Sequence, residues 1–265
     1  MRTRLIWGVA VAVVALTCIW LGGIWIAGLA ALAAGLMMAE WRRITAGADL
    51  PLIQGAAYIA AVAQAPISAW AADWQIATFL LITLTLIGGI LDRMAGRQGL
   101  IHWALLGAFY IGFAALAFVE LRAVAPYGFL SILWAALIVV AADVGGYFAG
   151  RTIGGPKLWP AVSPKKTWAG LAGAVVLAFL VGGVFSWLTT GTYFHIVCAV
   201  SAVAALLAQA GDLGESALKR HFGVKDAGTL IPGHGGLLDR LDGHMAAVLV
   251  AAGATFWRGE AVFVW

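Results

Sequence analysis

The chain has 265 residues, 63% of them hydrophobic and only 11% charged, with a formal net charge of +4. Ordinary soluble domains carry about 25% charged residues, so this composition, with a mean hydropathy of +0.97, excludes one. Two cysteines, Cys18 and Cys198, lie inside apolar runs and exclude a disulfide framework or a cysteine metal cluster.

The amino-terminal Met1-Arg-Thr-Arg4 precedes an apolar run with no clear small-residue cleavage site, which reads as a retained first helix. The run Leu5–Ala39 would be about 52 Å long as one helix, too long for one crossing of a ~30 Å hydrocarbon core. Gly22-Gly23 is the natural turn and divides it into spans near 5–20 and 23–39. Further spans are predicted near 51–66, 75–91, 100–119, 127–149, 168–188, 193–211 and 241–258. The fold class is therefore an all-α polytopic membrane protein with about nine transmembrane helices. Trp7, Trp41, Trp70, Trp74, Trp159, Trp168, Trp187 and Trp257 fall at the ends of apolar runs, as an interfacial aromatic belt requires.

With the amino terminus cytoplasmic and the carboxyl terminus outside, fourteen of the sixteen Lys and Arg residues are cytoplasmic; only Arg122 and Arg258 lie outside. That bias obeys the positive-inside rule. Half of the 28 charged residues lie between Asp143 and Asp242. The whole of 1–265 reads as one membrane domain, with 1–120 as an amino-terminal helical scaffold and 121–265 as the part that carries chemistry, around a cytoplasm-facing cavity.

Several constellations stand out within that second part. Asp143-Val-Gly-Gly-Tyr147 ends the sixth span, and an Asp near the hydrocarbon is a functional candidate. Asp143 and Tyr147, one helical turn apart, are expected to line one cavity. Ser163-Pro-Lys165-Lys166-Thr167 precedes the seventh span, where two lysines are also what topology alone produces. If the eighth helix continues past its apolar part, Asp212, Glu215, Ser216 and Lys219 share one face, a polar stripe that must meet water or a partner.

Next come Pro232-Gly-His234-Gly235-Gly236, either a tight turn or, among Lys219, Arg220, Lys225 and Arg240, a phosphate cradle. Asp239-Arg240-Leu-Asp242 opens the last span. Two carboxylates one turn apart repel unless a cation lies between them, and hard oxygen ligands suit Mg²⁺; the alternative is a salt-bridged helix start. Together these groups specify a Mg²⁺-nucleotide phosphate site.

From Ser216 to Asp242 the chain reads Ser-x-x-Lys219-Arg220, then Lys225-Asp226, His234-Gly235-Gly236 and Asp239-Arg240-x-Asp242. This pattern resembles the signature of the phosphatidate cytidylyltransferases, the CDP-diglyceride synthetase family. The Asp143–Arg151 and Ser163–Thr167 segments are similar to elements of the same family, although Ala169 stands where many members have Glu. The resemblance implies an enzyme of phospholipid biosynthesis that condenses CTP with phosphatidic acid to give CDP-diacylglycerol and pyrophosphate. It implies Asp212 and Asp239 as ligands of Mg²⁺, with Asp242 nearby and room for a second cation. Lys219, Arg220, Lys225, Lys165, Lys166 and Ser163 would bind substrate phosphates, and Asp226 would orient Lys225 or touch metal. It implies membrane lipid but no nucleic acid as partner, with a homodimer as a possible assembly; the low-charge, Trp-rich composition suggests the bacterial cell (inner) membrane, with the active site on its cytoplasmic side.

Two other readings stand beside it: a CTP-dependent lipid kinase, which would transfer the γ-phosphate to an alcohol, and a transporter, for which intramembrane charge is also normal. The topology is testable: reporters fused after Arg97 or Lys166 should read as cytoplasmic, and one at Trp265 as external. A cytoplasmic signal at Trp265 would overturn the nine-span arrangement.

Overall fold

A computed structural model describes residues 2–47, 52–191, 193–228, 230 and 235–264. Among the described residues there are nine α-helices and one β-hairpin. Six helices among the described residues are long and apolar enough to cross a membrane, and the chain is a multi-span helical membrane protein. It forms two compact units, one of Met1–Ala123 with Phe222–Arg240, the other of Val124–His221 with Leu241–Trp265. The signature segment 222–240 thus belongs with the amino-terminal helices, not with the later ones alone.

The first unit holds α1 (Arg2–Leu21), α2 (Gly23–Ala46), α3 (Leu52–Ala71), α4 (Trp74–Met94) and α5 (Ile101–Ala123). The expected break falls where the glycines are: Gly22 and Gly23 have φ of 67° and 52°, a left-handed backbone that glycine adopts without penalty. Helix α1 leaves terminal carbonyls unpaired by its own amides. Arg122, from the end of α5, donates from Nε to Ile19 O (2.7 Å) and from Nη2 to Trp20 O (3.0 Å). Asp73 caps α4 by accepting from the Gln75 N–H at 2.9 Å.

Helix α2 runs seven residues beyond the expected end at 39, because its charges find buried partners. Arg42 pairs with Asp92 of α4 at 3.1 Å, the two side chains only 2% and 0% exposed. The Tyr58 hydroxyl of α3 donates to the same carboxylate at 3.2 Å, and the guanidinium lies 5.0 Å from the Tyr58 ring centroid. Trp41 is buried and donates from Nε1 to Trp103 O of α5 at 2.8 Å. It is a packing residue, not part of an interfacial belt.

In the second unit α6 (Gly128–Thr152) packs on α7 (Trp168–Thr189), and α7 on α8 (Phe194–His221). The contact between α6 and α7 is backbone to backbone: a Cβ on Gly145 would stand 2.3 Å from Gly173 O, so only glycine permits that approach. Thr167 caps α7 through the Gly170 N–H at 3.0 Å. Between α6 and α7 lies an antiparallel hairpin, β1 (Lys157–Trp159) with β2 (Ser163–Thr167), which the all-α reading left as loop. The last helix, α9 (Leu238–Arg258), begins in the first unit and continues through the second. Large apolar side chains such as Trp187, Phe256 and Trp257 are more than 70% exposed, as lipid-facing residues are.

Arg42→Ala should cost about 3–5 kcal/mol, because it strands a buried carboxylate, whereas the exposed neighbour Arg43→Ala should stay within about 0.5 kcal/mol. Thermal unfolding of the two variants in detergent checks this; equal stability would refute the pairing.

Candidate active site

Helix α8 extends ten residues past the expected end at 211, so the polar stripe is helical as its spacing requires. Three carboxylates gather in the second unit. One oxygen each from Asp212 and Glu215 of α8 and Asp242 of α9 lie within 4.8 Å of one another, with Glu215 buried and the others half-buried. Two like charges about 4 Å apart at a protein surface repel by about 4 kcal/mol, so this grouping needs compensation.

Part of it comes from two lysines. Lys166 Nζ, on β2, lies 2.5 Å from Asp212 Oδ2 and donates to Gln209 Oε1 at 3.0 Å. Lys219 Nζ lies 3.1 Å from Glu215 Oε2, one turn along α8. The Asp242 carboxylate accepts the Gly243 N–H at 2.7 Å, and the Ser216 hydroxyl donates to Asp212 at 3.4 Å. Two ammonium groups thus pair with two of the three carboxylates. Three carboxylate oxygens gathered this closely could converge on a divalent ion, which takes hard oxygen ligands.

Gln209 extends the group. Its Nε2 donates to Asp143 Oδ1 at 3.3 Å, so Asp143, Gln209, Lys166 and Asp212 form one chain of polar contacts. Sequence reasoning passed over Gln209, although it stands three residues before Asp212 on the same helix face. Tyr147 is not in this chain: it is exposed, and its hydroxyl accepts from Arg151 Nη1 at 2.5 Å. Ser163 opens β2, and Lys165 and Arg220 are exposed.

The remaining expected residues lie in the first unit. Asp239 accepts from the Ala227 N–H (3.0 Å to Oδ2) and from the Gly236 N–H at 2.9 Å. Its carboxylate thus ties together the two ends of the signature loop. Gly235 has φ of 90°. Lys225, Asp226 and Arg240 are exposed. His234 lies outside the described residues.

Residues 2–256 match the Cytidylyltransferase family. The chain is similar to a phosphatidate cytidylyltransferase of Brucella suis, 34% identical over 99% of this chain and 94% of that protein. It is also similar to proteins of that name from Bacillus subtilis, 38% identical over 63% of this chain and 61% of the other, and Staphylococcus epidermidis, 41% identical over 54% of each.

The carboxylate grouping makes a measurable prediction. Mn²⁺ titrated into the purified protein and followed by electron paramagnetic resonance should occupy a site that Asp212→Asn, Glu215→Gln or Asp242→Asn each weakens at least tenfold. Unchanged affinity in all three would show that the cluster holds no cation.

Proposed function

This chain belongs to the Cytidylyltransferase family, and on that premise we propose that it transfers the cytidylyl group of CTP to phosphatidic acid, giving CDP-diacylglycerol and pyrophosphate. Family membership makes it a transferase. The observation that carries the finer reading is the α8 cluster, where carboxylates suited to a cation sit against lysines suited to phosphate.

In this reaction an oxygen of the lipid phosphate attacks the α-phosphorus of CTP, the bond from that phosphorus to the β-bridging oxygen breaks, and pyrophosphate leaves with the electron pair. A phosphomonoester has its second pKa near 6, so the attacking oxygen is already largely anionic at neutral pH and no general base is required. The barrier is the approach of two polyanions, and positioning and charge neutralisation lower it. Mg²⁺ held by Asp212 with Glu215 and Asp242 would supply neutralisation of nucleotide phosphate oxygens.

The side chains then divide the work. Lys166 orients Asp212 through their ion pair, and Gln209 fixes Lys166 against Asp143. Lys165, Ser163, Lys219 and Arg220 of the second unit serve substrate phosphates. In the first unit Lys225 and Arg240 do the same beside the Gly235-Gly236 turn, and Asp226 orients Lys225. Asp239 is proposed as a metal ligand as well as a loop anchor: a carboxylate has about four acceptor sites, which leaves it capacity beyond its amide bonds. The lipid's acyl chains stay in the bilayer of a bacterial cell membrane, with the reaction on the cytoplasmic face where most of the cations lie. A homodimer is the proposed assembly.

Purified protein given phosphatidate and CTP labelled at the α-phosphate should put the label into lipid, whereas γ-label should leave as pyrophosphate. Label moving from the γ-position into lipid would identify a kinase instead. Asp212→Asn and Asp239→Asn should each lower turnover by about 10²–10³ with membrane insertion intact.

A further inference from the structure

We propose that Glu40 of α2 is a positioning residue for the signature segment, holding residues 227–228 and 235–239 in their working conformation from a point far away in the sequence. Glu40 is 8% exposed, and its two oxygens accept the Leu237 N–H at 3.0 Å and the Leu238 N–H at 2.8 Å. Leu238 is the first residue of α9, so these amides belong to the helix start, where no intrahelical acceptor exists and negative charge is favoured.

The loop is shaped to receive this carboxylate. A Cβ on Gly228 would stand 2.7 Å from Glu40 Oε1, and one on Gly236 would stand 2.8 Å from Oε2. Glycine at both places admits the Glu40 side chain between the two ends of the loop. Asp239 bonds the same two ends through Ala227 and Gly236. Two carboxylates therefore clamp the loop, one from within the signature and one from α2. Lys225, Asp226 and Arg240 stand within two residues of the backbone positions that the clamp holds. Glu40 acts through backbone amides and is not itself a group that meets substrate.

The inference deepens the proposed reaction and rests on that reading only for its rate measurement. Full-length protein in detergent is compared as parent, Glu40→Gln, Glu40→Ala, Gly228→Ala and the Glu40→Ala/Gly228→Ala double variant. Amide hydrogen exchange over 222–240 is followed, together with kcat and the KM for CTP with phosphatidate as acceptor. Glu40→Gln, which keeps one acceptor oxygen, should speed exchange in that segment while α6, α7 and α8 stay unchanged. It should lower kcat about tenfold with the KM for CTP within threefold, the pattern of a lost transition-state arrangement. Gly228→Ala should be damaging alone and add nothing in the Glu40→Ala background, because the side chain it would strike is gone.

Parent-like exchange in both Glu40 variants, or Gly228→Ala equally damaging without Glu40, overturns the inference. If Glu40→Ala fails to fold, Glu40→Gln and Gly228→Ala carry the same test. A parent that transfers no cytidylyl group, with exchange still answering to Glu40, sinks the proposed reaction and sustains the clamp.

Discussion

A charge inside an apolar helix is tolerated only where its partner is built beside it, and this requirement organises both units of the protein. On α2 three consecutive residues, Glu40, Trp41 and Arg42, are all buried. Successive residues of a helix point about 100° apart, so the three reach in different directions. Glu40 meets the amides of the signature loop, Trp41 a carbonyl of α5, and Arg42 a carboxylate of α4. One turn of helix thereby fixes the loop and two further helices.

The second unit obeys the same rule with a different outcome. The Arg42–Asp92 pair balances one charge against one and is sealed from solvent. In the α8 group Lys166 and Lys219 face Asp212, Glu215 and Asp242, with Asp143 joined through Gln209, and Asp212 remains partly open, its side chain 36% exposed. A network whose only task was to hold helices together would gain from balance, since each excess buried charge costs several kcal/mol in order of magnitude. Carboxylates in excess of their lysines at a partly exposed position are an arrangement that a divalent cation relieves. The two clusters thus differ: the Arg42–Asp92 pair is sealed, whereas the α8 group keeps a partly exposed carboxylate.

The sequence was most legible where the physics is local. The Gly22-Gly23 break, the long apolar helices and the shared face of Asp212, Glu215 and Ser216 all follow from spacing along the chain. Charges misled the helix ends: α2 and α8 both continue past the point where hydropathy falls, because Glu, Lys and Arg favour helix and several of those charges find partners in the protein. What could not be read depends on partners far apart in the chain. Glu40 and Leu237 are 197 residues apart, and Lys166 and Gln209 are 43. Tyr147 sits one helical turn from Asp143, yet its side chain meets Arg151 and Asp143 meets Gln209; equal spacing does not imply a shared partner. The β1–β2 hairpin is too short to impose an alternating pattern.

The glycines of the signature show how one residue type can serve distinct ends. Gly235 takes a left-handed backbone, φ 90°, which a side chain would strain. Gly236 instead gives its N–H to Asp239 and its open Cα face to the Glu40 carboxylate. Its lack of a side chain is explained by a carboxylate of the protein, without appeal to a bound phosphate. A turn already filled by two acidic side chains is electrostatically poor at binding anions by its amides alone. In the proposed reaction, attraction for phosphate in this segment must therefore come mainly from Lys225 and Arg240. The two carboxylates shape the loop that presents those cations, and the negative charge that shapes it is held at the amides, where helix start and turn are positive.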